Sequence, residues 1–76
     1  MTYEVQSILF NREIWSPEEA VKWLQHHMFV AKKLDATPNY LRFRQHTPAK
    51  LKQIGLTQLR TKHIGDGITL ILAYPE

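Results

Sequence analysis

The chain has no cysteine and only 76 residues, and the two facts together restrict what it can fold into. Neither a disulfide framework nor a thiolate zinc site can brace it. Stability must come from apolar packing in one core, with self-association a common aid at this size. A chain without cysteine also fits a reducing compartment. Hydrophobic residues make up 43% of the sequence and charged residues 22%, the balance of a globular domain and not of a disordered tail or a fibre. One small domain spanning residues 1–76 is expected. Met1 to Phe10 includes Glu4 and lacks a basic leader with a long apolar run, so no signal peptide is read there. The run richest in apolar residues, Ile68 to Tyr74, falls well short of the roughly 20 needed to span a bilayer.

Glu4 to Phe10 carries Val5, Ile8, Leu9 and Phe10 over a strand's length and meets the polar pair Asn11 and Arg12. Ser16, Pro17 and Glu19 then supply a cap, a first-turn proline and a capping-box partner, which predicts a helix starting at Ser16. Ala20, Trp23, Leu24, His27 and Met28 form its apolar stripe, with Trp15 placed to staple back onto Ala20. Phe29 to Leu34 reads as a second strand, closed by a turn at Asp35 to Asn39. Tyr40 to Gln45 alternates cleanly, Leu41 and Phe43 inward, Arg42 and Arg44 outward. Thr47 and Pro48 repeat the cap signal, predicting a short helix over 48–54 with Leu51 and Ile54 on its apolar side and Gly55 ending it. Leu59 to Ile64 is a fourth strand, with Arg60, Lys62 and Ile64 on one side and Leu59, Thr61 and His63 on the other. The turn Gly65-Asp66-Gly67 leads to a last strand, apolar on both faces and therefore interior or well covered. The order β, α, β, β, short α, β, β predicts a two-layer α+β fold: a mostly antiparallel sheet of about five strands with one main helix packed across it.

Several residues carry a resemblance: Val5-Gln6-Ser7 with Phe10, Trp15 opening a capped helix with Ala20 and Trp23-Leu24, Tyr40 to Gln45, Arg60-Thr61-Lys62 and Gly67-Ile68. Over nearly its whole length the chain resembles a short domain encoded by tailed bacteriophages and large DNA viruses, a family with no settled biochemical activity. The resemblance implies a viral or phage setting, a virion-associated or accessory role and no enzyme. It also implies a location inside the host, in cytoplasm or nucleus, or in the virion. The stretch Ala49 to Gln58 is longer here than the corresponding link of that family.

The formal charge of +3 permits an acidic partner without requiring one. The leading candidate site is a basic sheet face. If their strands are neighbours, Arg42 and Arg44 would join Arg60 and Lys62 in one cluster suited to phosphates, with Tyr40 or His46 available to stack on a base. The competing reading makes these cations solvated strand residues or guards against edge pairing. Glycines at 65 and 67 could form an anion nest, but a hairpin turn accounts for them better. Of the histidines at 26, 27, 46 and 63, no set has metal-ligand spacing, and no metal or cofactor is expected. Glu18 and Glu19 complement the helix N-terminus. Trp15, Trp23 and Phe29 read as core; exposed beside an arginine, one would instead anchor a partner. The expectation is a non-catalytic binding or assembly module, acting through a protein partner or self-association and not through a membrane or a small-molecule cofactor. Nucleic-acid binding by the basic face is the alternative, and metal-independent RNA cleavage by His46 and His63 with Lys62 the third.

Overall fold

The computed structural model describes residues 3–75. Met1, Thr2 and Glu76 lie outside the described residues, and so do those ends of the leader-free and single-domain readings. The elements are β1 (Glu4–Asn11), α1 (Pro17–His26), β2 (Leu34–Ala36), β3 (Tyr40–Arg44), α2 (Pro48–Gln53), β4 (Leu56–Gly65) and β5 (Ile68–Pro75). The strands form one antiparallel sheet in the order β2-β3-β1-β5-β4. This is the α+β architecture read from the sequence, with β5 interior as its two apolar faces required.

One face of the sheet carries the main core. Ile8, Phe10, Leu41, Phe43 and Ile68 rise from β1, β3 and β5 to meet Ala20 and Leu24 of α1. Phe10 sits in the middle, edge-on to Trp15, Trp23 and Phe43 at centroid distances of 5.1, 5.6 and 5.7 Å. Burying each large side chain contributes about 1.5–3 kcal/mol, so these few residues supply much of the stability a domain this small can have.

The helix begins where its sequence signal lies: Ser16 Oγ accepts from Glu19 N–H, and Glu19 Oε1 accepts from Ser16 N–H, both at 3.2 Å. It ends at His26, two residues earlier than the apolar spacing predicts. Met28 N–H donates to the Gln25 carbonyl and Phe29 N–H to the Leu24 carbonyl, a Schellman closure with Met28 left-handed at φ 63°. Met28 is therefore not on the buried stripe; it is 93% exposed.

Two strand boundaries also differ from expectation. Phe29 to Lys33 is irregular, and pairing starts only at Leu34, so β2 is a three-residue edge strand that takes the last residue of the expected strand and the first two of the expected turn. Leaving the left-handed residue, the chain tucks Phe29 and Ala31 against the core, which explains their apolar character without a strand. β4 is longer than predicted, beginning at Leu56.

Thr47 caps α2, its Oγ1 accepting from Lys50 N–H. Leu51 packs with Leu56 and Ala73 in a second, smaller core, while Ile54 is 55% exposed. Leu72 pairs with Val5, which packs on the main core, so the neighbouring Ala73 points the other way. The short helix thus covers a corner of the face opposite α1, and among the described residues no other helix or strand crosses the rest of that face.

Candidate binding surfaces

Residues directly opposite across an antiparallel pair project to the same side of the sheet. Arg42 is opposite Leu9 and Arg44 is opposite Ser7, while Phe43, between them, is in the α1 core. Both arginines therefore stand on the open face. Arg60 is opposite Leu72 and Lys62 opposite Leu70, and Leu70 packs against the α1 core. These two cations accordingly project on the α1 side. β1 and β5 also lie between β3 and β4, a separation of about 14 Å in the hydrogen-bonding direction. The four-cation patch expected from the sequence does not form: one pair lies on each side of the sheet. Alternation fixes which residues of a strand share a side, but only the pairing register fixes how two distant strands are phased.

The open face keeps part of the expected set. Tyr40, opposite Asn11, is on the same side as Arg42 and Arg44. Arg42 Nε donates to Ser7 Oγ at 3.2 Å, and Ser7 is fully buried. Asp35 of β2 lies opposite Arg42. His46 follows the end of β3, with Nε2 3.4 Å from Glu4 Oε2. Tyr40 also lines a cleft of about 480 Å³ with Asn11, Arg12, Glu13, Pro38 and Asn39. Arg12 there is already engaged, donating from Nη1 to the Thr37 carbonyl at 2.7 Å.

Two residues absent from the sequence-based set complete a different grouping. Lys32 and Lys33 share a cavity of about 200 Å³ with Val30, Arg44, Gln45, His46 and Thr47. Gln45 builds this place: its Oε1 accepts from Val30 N–H at 2.8 Å and its Nε2 donates to the Val30 carbonyl at 2.7 Å. Read as part of a strand, adjacent lysines would point to opposite faces, so the only signal was their nearness in sequence to an apolar stretch.

His46 and His63 are not brought together. His63 sits on β4, its Nδ1 2.9 Å from Thr69 Oγ1, three strand positions across the sheet from β3. Among the described residues no group of three or more His, Asp or Glu side chains is placed to hold a metal, and no helix is long and apolar enough to cross a membrane. The Gly65-Asp66-Gly67 segment is the hairpin turn between β4 and β5, with both central residues at positive φ. Trp15, Trp23 and Phe29 are partly buried around the core; the His27 ring stacks on Trp23 at 3.9 Å.

From Gln58 on, no other strand among the described residues pairs with the outer edge of β4. β4 is a ten-residue terminal strand of the sheet in which every residue after Leu56 is exposed. Leu59 and Ile64 are 55% and 42% accessible. No family model, curated protein or solved structure matches the chain.

Proposed function

We propose that this domain is a non-catalytic binding module of viral type that acts through protein contacts, taking an extended segment of an acidic partner along the outer edge of β4. The viral setting rests on the sequence resemblance alone. The binding mode rests on one observation: the terminal strand of the sheet runs in regular register from Gln58 to His63 and is exposed at every one of those positions. Edges of natural sheets are commonly short, bulged or covered, as the three-residue β2 is at the other end. β4 is bulged near both of its ends, at Leu56/Gln58 and His63/Gly65, and the regular stretch between them, Gln58 to His63, offers a row of backbone donors and acceptors to an added strand.

The side chains select the partner. Arg60 and Lys62 lie two apart on one side, where they match acidic residues spaced likewise, while exposed Leu59 on the other side offers an apolar contact. The same cations oppose pairing of two copies. Centring a two-fold antiparallel β4 pair on residue 60 or 61, the registers of greatest overlap, sets Arg60 against Arg60 or Lys62. The charges that guard this edge against itself thus favour a carboxylate-bearing strand.

Calorimetric titration with a blocked peptide of about eight residues alternating Asp with Val tests this reading. Binding should weaken with salt, be lost in Arg60→Glu/Lys62→Glu and be absent for a Lys/Val peptide. No binding at low salt, or binding indifferent to those substitutions, contradicts it.

Nucleic-acid binding is the second reading, supported by Tyr40, Arg42 and Arg44 sharing one open face. Separated from Arg60 and Lys62, that face would neutralise few phosphates, so single-stranded DNA or RNA binding should fall with salt at a log–log slope of about −0.7 per phosphate contacted, and respond to Arg42→Gln but not to Arg60→Gln.

A further inference from the structure

We propose that the cavity between the Val30 to Lys33 segment and the end of β3 binds a small organic oxyanion of the phosphate-monoester class. This site is distinct from the β4 edge and independent of the proposal made for it.

Three features converge here. The first is an unmet donor. Arg44 lines the cavity, and its Nε is buried with no hydrogen-bond partner among the described residues. A buried charged donor without an acceptor is costly, and a turn of the guanidinium into the cavity would present Nε with its neighbouring N–H to an anion in the fork geometry that suits phosphate oxygens. The second is charge. Lys32 and Lys33 border the same cavity, so three permanent cations surround it. No carboxylate lines the cavity among the described residues, and Glu4 Oε2 lies 3.4 Å from His46 Nε2. The lysines and Arg44 carry the attraction. The third is construction. The paired hydrogen bonds between Gln45 and Val30 hold the lysine-bearing segment against the strand end, and Gln45 N–H is itself fixed to the Gln6 carbonyl at 2.7 Å. The cations are therefore gathered on a tied backbone and not on a free loop.

Size and lining narrow the ligand. At about 200 Å³ the cavity is smaller than the roughly 300–1,000 Å³ of sites that enclose a whole drug-sized ligand. Its walls are mostly carbon, from Val30 and the aliphatic stems that lysine and arginine contribute to such surfaces. Inorganic phosphate would use the cations but waste the carbon; a phosphoryl group carried on a small apolar body uses both.

The test is a titration followed by amide and arginine Nε–H NMR, with inorganic phosphate in one arm and phenyl phosphate in the other, chloride being adjusted to constant ionic strength. Shifts should centre on Val30 to Lys33, Gln45 to Thr47 and the Arg44 Nε–H, and phenyl phosphate should saturate at about tenfold lower concentration. Arg44→Gln should weaken binding at least about tenfold. Should that variant fail to fold, Lys32→Gln/Lys33→Gln, confined to exposed positions, should weaken it severalfold. Shifts reproduced by chloride alone, shifts centred on Arg60 and Lys62, equal affinity for the two anions, or unchanged affinity in the double lysine variant would each overturn the assignment.

Discussion

Trp15 and Asp66 are joined across 51 residues of sequence by a 2.6 Å hydrogen bond from the indole Nε1 to the Asp66 carbonyl. The residue that precedes the cap of α1 thereby holds the turn that connects β4 to β5. Trp15 also contributes its ring to the Phe10 cluster, so one side chain links core, helix start and hairpin. Trp15→Phe keeps an aromatic ring and deletes the donor. A loss of about 0.5–1.5 kcal/mol is expected, read as a lower urea midpoint with an unchanged slope.

Of the two hairpin glycines, only Gly67 is crowded in a way that Gly55, which follows α2, is not. A Cβ on Gly67 would stand 2.9 Å from Ile14 Cδ1 and 3.1 Å from Asn11 Cβ, at a φ of +73°. A Cβ on Gly55 would meet nothing within 4 Å at a φ of +80°. Gly55→Ala should therefore carry only the left-handed backbone penalty of about 1–2 kcal/mol. Gly67→Ala should exceed it, because Ile14 or the turn must also move. Thermal unfolding of the two variants side by side checks the ranking, at about 4–8 °C per kcal/mol for a domain of this size.

Met28 closes α1 in the position that usually belongs to glycine, at φ 63° and with 93% of its surface exposed. Its side chain contributes little packing to offset the backbone strain. Met28→Gly should raise stability by about 0.5–1 kcal/mol, measured by urea unfolding, despite adding freedom to the unfolded chain. A destabilised variant would mean that the methionine makes a contact the fold relies on.

Local chemistry was legible in the sequence; long-range phasing was not. Ser16, Pro17 and Glu19 announce a helix start because the cap forms among near neighbours. Leu41 and Phe43 announce a buried side because alternation is a property of one strand. The end of α1 was hidden because its left-handed residue is a methionine and not a glycine, which let Phe29 to Leu34 read as a strand. Arg42 and Arg60 could not be phased from sequence, since their relation passes through two intervening strands and the bulges at Val5/Ser7, Leu56/Gln58 and His63/Gly65. Lys32 and Lys33 meet Arg44 only because Gln45 ties down Val30, fifteen residues away.

Amide hydrogen exchange along β4, with and without the alternating Asp/Val peptide, tests the proposed binding mode most directly. In the free domain, the β4 amides directed away from β5 should exchange rapidly while the inward ones are protected. On adding the peptide the outward set should become slow, and in Arg60→Glu/Lys62→Glu it should remain fast. Outward amides already protected in the free domain, or still fast at saturating peptide, would contradict the account.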